Sequence, residues 1–270
     1  MVTLSKKVKA GTIGLPTGIK DITRIDFRND KWIQAIEGKG YRISWTRSAP
    51  CPCKPVNEQT DQPDPNCPLC KGSGWVFFKP DGAVANQKII GPLTDIQEKL
   101  IADNGAVIHG IMTSLAGNKT QYDSIGPWLA GTAMLTVRCE NKLGYYDRIT
   151  CLDSRIVYAQ MLTAGAPTAL VKPKYPILQT NLLRSIAKTF VEGIDFTVVV
   201  GDIQWIAGKA PAEGTILSCH YLTHPTWRIV EHPHTVRTTL TKFKEKQPLT
   251  PQGTPQDLPV QAVIKYEFLL

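Results

Sequence analysis

The chain carries none of the short patterns that mark the common catalytic sites. It has no Gly-x-Ser-x-Gly turn to expose a nucleophilic serine, no Gly-x-x-x-x-Gly-Lys-Ser/Thr loop to cradle phosphates and no His-Glu-x-x-His pair to hold a catalytic metal. These absences shift the expectation from enzyme to structural protein. Apolar runs are short, and none approaches the roughly 20 residues that span a bilayer as a helix, so the chain reads as soluble. The first residues, Met-Val-Thr-Leu-Ser-Lys-Lys-Val-Lys-Ala-Gly, lack the apolar stretch of a secretory signal, and nothing therefore points to an oxidising compartment. Acidic residues fall short of basic ones, 23 against 31, for a net charge of +8. That modest excess is spread along the chain, with Lys6, Lys7 and Lys9 at one end and Lys242, Lys244 and Lys246 near the other. It permits contact with DNA or acidic protein surfaces without requiring it.

What is present is sulfur in one place. Four of the seven cysteines form two close pairs, Cys51-Pro-Cys53 and Cys67-Pro-Leu-Cys70, followed at once by Lys71-Gly72-Ser73-Gly74-Trp75. Each pair can fill two corners of a tetrahedron, and the intervening loop is long enough to turn back, which is the requirement of a structural zinc site. Pro52, Pro55, Pro63, Pro65 and Pro68 stiffen the approach and reduce the entropy lost when the metal closes the loop. Gly72 and Gly74 allow a tight turn after Cys70 and free backbone N–H groups to point at sulfur, while Lys54 and Lys71 offset the charge of four thiolates. With four sulfurs bound, no position remains for a catalytic water. The competing readings are a disulfide, Cys51–Cys67 or Cys53–Cys70, and free thiols. The isolated Cys139, Cys151 and Cys219 read as small buried hydrophobes.

Glycine (21) and proline (20) punctuate short β-rich segments, so the fold class expected is mainly β: two sandwich or barrel-like modules, a zinc-stapled loop and an extended N-terminal arm. The divisions expected are the arm at 1–40, a metal-loop region at 41–80, a first β module at 81–165 and a second at 175–270. Strands are expected at 41–47 and 74–79 flanking the cysteines, with a hairpin turn at Asp81-Gly82, then at 106–114, 133–139, 146–152 and 156–162. Further strands are expected at 195–200, 202–206, 215–222, 227–231, 235–240 and 260–268, with a long polar loop at 243–259. Residues 94–103 read equally as a helix capped by Thr94 and stopped by Asn104-Gly105, or as a strand edge. His220, His224, His232 and His234 could be gathered into a metal or acid–base cluster, but their strand and turn positions favour surface or packing roles. Asp147-Arg148 and Asp153-Ser154-Arg155 read as cross-strand ion pairs.

Two segments carry a resemblance. Tyr41-Arg42-Ile43-Ser44-Trp45, Cys51-Pro-Cys53 and Asp64-Pro65-Asn66-Cys67-Pro68-Leu69-Cys70-Lys71-Gly72-Ser73-Gly74-Trp75 resemble the cysteine motif of virion proteins from contractile-tailed bacteriophages. Residues 193–196, 203–205 and 211–221 are similar to a β segment of phage neck and baseplate proteins. The shorter Cys-x-x-Cys-x-Gly-x-Gly pattern also resembles chaperone zinc modules, but the repeated units of those are missing here. The resemblance covers about a third of the chain. It implies a neck or connector protein that forms a homo-oligomeric ring around a DNA channel in the virion, assembled in the host cytoplasm. Its neighbours would be the portal or adaptor, the tail terminator, tail tube or sheath, and passing double-stranded DNA, with no membrane partner. Baseplate is the nearest alternative. A reading from another class is a nucleic-acid-binding zinc module using Arg42, Trp45, Arg47, Lys54, Lys71, Trp75 and Lys79. A third is a metal-dependent enzyme built on the late histidines.

Overall fold

Strands whose alternate side chains share one core set the architecture seen in the computed structural model, which describes residues 29–53, 62–70, 72–80, 91–114, 131–232, 238–240, 255–257 and 259–269. The elements run α1 (Asn29–Lys39), β1 (Tyr41–Pro50), β2 (Trp75–Phe78), α2 (Asp95–Ala102), β3 (Ala106–Ser114), β4 (Thr132–Val137), β5 (Arg148–Cys151) and β6 (Ile156–Thr163). There follow β7 (Gln179–Arg184), β8 (Thr189–Phe190), β9 (Phe196–Val199), β10 (Asp202–Trp205), β11 (Ile216–Thr223), β12 (Thr226–Glu231), β13 (Thr238–Leu240), β14 (Pro255–Asp257) and β15 (Val260–Tyr266). A 3-10 turn, Glu267–Leu269, follows β15.

Six of these strands close into an antiparallel barrel in the order β1-β3-β4-β15-β12-β5 and back to β1. Every second residue points inward: Ile43 and Trp45, Ala106 and Ile108, Leu135 and Val137, Ile149 and Cys151, Trp227 and Ile229, and Ala262 and Ile264 make one core. The barrel is narrow enough that one inward position must lack a side chain. A Cβ on Gly110 would lie 2.7 Å from the Ile43 Cδ1 methyl and 2.8 Å from that of Leu135.

The expected division into modules at 81–165 and 175–270 does not follow the strand pairings. β12 and β15, assigned to the second module, complete the barrel, whereas β6, assigned to the first, pairs with β11 elsewhere. β5 and β12 are barrel neighbours, with Thr150 opposite Thr226, and the Cys151 N–H donates to Pro225 O at 3.1 Å. Residues 152–225 therefore leave and re-enter the barrel at adjacent points, as an insertion. Within it the sheet β6-β11-β7-β8 and the hairpin β9–β10 enclose their own core of Leu162, Ile177, Leu183, Phe196, Ile203, Leu217, Cys219 and Tyr221, among others. The hydrophobic pattern of each strand was readable locally, but which of two cores a strand feeds is a non-local property.

The segment 94–103 is a helix. Thr94 Oγ1 accepts from Gln97 N at 3.3 Å and Gln97 Oε1 accepts from Thr94 N at 3.1 Å, a reciprocal capping box. It packs at the junction of barrel and insertion, where Gln97 Nε2 donates to Leu152 O at 2.7 Å. The expected N-terminal arm is corrected over its last part: residues 29–39 are helical, and Ile36 is fully buried. Ile33 and Ile36 supply the helical spacing, and Arg138 anchors Glu37 at 2.6 Å. Residues 1–28 and the Asp81-Gly82 turn lie outside the described residues, as does most of the 243–259 loop, of which 255–257 pair as β14 with β13. Cys151 and Cys219 are buried hydrophobes as expected, but Cys139 is half-exposed in the turn after β4. Of the expected ion pairs, Asp153 does form one, from the turn after β5 to Arg42 of β1 at 2.6 Å. Asp147 instead accepts from the Trp45 indole at 2.8 Å and from the backbone N–H groups of Ser48 and Gly144 at 3.0 and 2.7 Å.

Candidate metal centre

β1 overshoots the barrel. Its first half pairs with β3 and β5, and its last four residues, Arg47 to Pro50, pair with β2, ending at Pro50 opposite Trp75. The Cys51 N–H continues this ladder by donating to Gly74 O at 2.8 Å. The hairpin thus delivers the first ligand pair directly at its end and receives the chain back five residues after Cys70.

Between those ends all four thiols converge, with sulfur atoms within 4.8 Å of one another. Cys51 Sγ lies 3.8 Å from Cys67 Sγ, and Cys53 Sγ lies 3.8 Å from Cys70 Sγ. A zinc–sulfur bond of about 2.3 Å gives a tetrahedron with sulfur–sulfur edges of about 3.8 Å. A disulfide would require about 2.05 Å. The cysteines are free thiols, and neither of the two pairings weighed from the sequence is formed. The cluster is therefore of a size and donor type that can hold a metal ion. Cys67 and Cys70 are buried and Cys51 and Cys53 half-buried.

The backbone is arranged for negative charge on sulfur. Cys70 receives N–H groups from Gly74 and Gly72, Cys53 from Asp64, and Cys51 from Cys53. Burial raises the Cys51 thiol to about 12 and raises Cys53 as well. At Cys70 burial acts in the same direction, but the N–H groups of Gly74 and Gly72 and the thiols of Cys67 and Cys51 outweigh it and draw the group down to about 7. Gly72 and Gly74 reach these positions with φ of 81° and 73°, backbone that side-chain-bearing residues rarely adopt. Asp64 builds the second ligand turn: its Oδ1 accepts from Asn66 N at 2.8 Å and its carbonyl accepts from Cys67 N at 3.1 Å. Asp64 stood beside the cysteines in sequence, yet its role was not visible from the cysteine spacing.

Aromatic residues next to the loop are used within the protein. Trp75 stacks on Tyr146 with ring centroids 4.4 Å apart. Phe77 lies under two guanidiniums, Arg148 at 3.9 Å and Arg228 at 4.5 Å from its centroid. Both arginines share Glu267 Oε1, each through Nη2 at 2.6 Å, so the strand leaving the loop is seated on a buried charge cluster at the barrel end. Burial would raise the Glu267 carboxyl; Arg148 and Arg228 outweigh it and hold it below the ordinary range. No sequence signal joined Phe77 to residues 71, 151 and 190 positions further on.

Among the described residues, those considered for nucleic-acid contact do not gather on one surface. Arg42 is engaged by Asp153, Trp45 is in the barrel core, Arg47 lies over the Trp45 ring, and Lys79 is exposed; Lys54 and Lys71 lie outside the described residues. The described late histidines are also separated. His220 contacts Asn181 on the sheet, His224 is buried with Nδ1 2.9 Å from Ser154 O, and His232 meets the edge of Tyr145, while His234 lies outside the described residues. Among the described residues, Cys51, Cys53, Cys67 and Cys70 are the group placed to hold a metal. Compared with known proteins, the chain matches no family model and none of the curated proteins.

Proposed function

We propose that this chain is a structural component of the virion of a contractile-tailed bacteriophage. In this reading it is a ring-forming neck or connector subunit that joins the portal to the tail around the DNA channel. A structural zinc ion held by Cys51, Cys53, Cys67 and Cys70 clasps its loop. The observation that carries the metal part is the convergence of four thiols at 3.8 Å contacts with N–H groups aimed at sulfur. The virion part rests on the resemblance of residues 41–45, 51–53 and 64–75 to virion proteins of contractile-tailed bacteriophages, and of residues 193–196, 203–205 and 211–221 to phage neck and baseplate proteins.

In this role the metal substitutes for a core that a proline-rich loop cannot supply, and the loop becomes a rigid surface at one end of the barrel. Ring contacts would be heterologous, with one face of each subunit against the opposite face of the next. The portal or adaptor would lie on one side and the tail terminator, tube or sheath on the other. The net charge of +8 suits passing DNA or acidic neighbours without sequence preference. A baseplate position is the alternative within the virion. A nucleic-acid-binding zinc module is disfavoured because Trp75 and Phe77 already stack on protein groups and are not open platforms for bases.

Electron micrographs of the purified chain at high concentration, and of particles in which it is labelled, test this reading. Rings, and label at the head–tail junction, are expected. A clean monomer whose nucleic-acid binding falls steeply with salt would overturn it.

A further inference from the structure

β6 is the end strand of the inserted sheet, and among the described residues its outer edge has no strand beside it. An open edge of eight residues is a hazard that monomeric proteins blunt with charge, proline or a bulge. β6, Ile-Val-Tyr-Ala-Gln-Met-Leu-Thr, has no charged residue and no proline, and its register with β11 is unbroken from Ile156 to Thr163. Its outward row is uncharged and exposed: Val157, Ala159, Met161 and Thr163, with Met161 79% accessible. On the same face Ile216 lies opposite Thr163 and Leu182 lies beyond His220, 61% and 41% exposed.

We propose that β6 pairs antiparallel with β6 of a second copy of this chain, about a two-fold axis through Ala159, joining two four-stranded sheets into one. The chemistry of the strand selects both partner and register. Residues facing each other across an antiparallel pair must lie on the same side of the sheet. With the axis at Ala159, Val157 faces the partner's Met161, and Ala159 faces its own counterpart. On the inner side Ile156 faces the partner's Leu162, and Tyr158 faces the partner's Gln160. Moving the axis one residue toward the N-terminus would set Arg155 against Met161, and one residue the other way would set Thr163 against Val157. The Ala159 register alone makes every outward pair between 157 and 161 apolar and keeps Arg155 opposite a threonine. The contact closes on itself and does not depend on the virion reading: rings that form without it would sink this inference and leave that reading standing.

Sedimentation of the full chain, together with site-specific cross-linking, tests it. The wild type is expected to dimerise. The double variant Val157→Lys, Met161→Lys, altered only at exposed positions, is expected to keep its far-UV spectrum and a cooperative melt while its dimer dissociation constant rises about 100-fold, the consequence of placing lysines against each other across a desolvated edge. Ala159→Cys is expected to form a disulfide-linked dimer under mild oxidation, because directly opposed residues have Cα atoms about 4.5–5.5 Å apart. Thr163→Cys is expected not to cross-link, since its counterpart is offset by eight residues along the strands. A wild type that stays monomeric at high micromolar concentration, a lysine variant that associates as the wild type does, or equal cross-linking by both cysteine variants would each overturn the proposal.

Discussion

Replacing Glu267 by glutamine keeps the side chain's size and removes its charge from between two arginines. Glu267 Oε1 accepts from Arg148 Nη2 at 2.6 Å, Arg228 Nη2 at 2.6 Å and Arg228 Nε at 3.1 Å, with the carboxylate 5% and the Arg228 side chain 8% exposed. Removing one member of a buried ion group typically costs about 3–5 kcal/mol, because the remaining charge stays desolvated. Arg148 is 35% exposed and can turn toward water, so its share is screened, and Phe77 still offers its ring to both guanidiniums. The expected loss is therefore near the lower end, about 3 kcal/mol at neutral pH. It should also depend on pH in a definite direction. The folded carboxyl titrates below its unfolded counterpart, so its contribution is complete above about pH 4.3 and disappears as the pH falls through the lower folded value. Denaturant unfolding of both proteins across that range is the assay, with the gap between them closing in acid. A gap under about 0.5 kcal/mol at neutral pH, or one that persists unchanged in acid, would refute the reasoning.

Three other perturbations follow from particular contacts. Val200 occupies the first position of the two-residue β9–β10 turn with φ of 48°, unfavourable for a β-branched residue, so Val200→Asn is expected to raise the unfolding free energy by about 1 kcal/mol; a loss would contradict the assigned strain. Trp45→Phe deletes the 2.8 Å bond from the indole to buried Asp147 and opens space in the barrel core, and is expected to cost at least about 2 kcal/mol in the same measurement; a cost under about 0.5 kcal/mol would contradict both. Burial holds His224 below its usual value, so as the pH drops below about 6.5 the unfolded chain takes up a proton that the folded one refuses, and stability declines. His224→Gln is expected to flatten that part of the profile, and an unchanged slope would show that His224 is not its source.

The site was more legible in the sequence than the topology was. Two cysteine pairs separated by a stiff loop, with Gly72 and Gly74 behind them, contain their own geometry, because all the partners lie within 24 residues. Strand positions were legible for the same reason: the short β-branched and apolar runs at Ala106–Ser114 and Thr226–Glu231, bounded by turn residues, are local. The insertion was not. Nothing in residues 148–151 or 226–231 alone says that they lie side by side with 74 residues between them, and the pairing is decided by closure of the barrel core around Trp45 and Trp227. β7 escaped notice because Gln179–Arg184 shows only two adjacent leucines and no clean alternation; its place is fixed by β11 beside it. Helix α1 was hidden by its short apolar face, since the burial of Ile36 depends on a barrel wall that only the assembled fold provides.

The four-cysteine clasp requires a bound metal. Elemental analysis of the natively purified protein beside a Cys67→Ser variant tests it most directly, with far-UV spectra of both to follow the fold. One zinc per wild-type chain is expected, with loss of that zinc in the variant and loss of order around residues 47–78 while the inserted sheet persists. A wild type without zinc, or a variant that retains its full complement, would contradict the four-cysteine clasp.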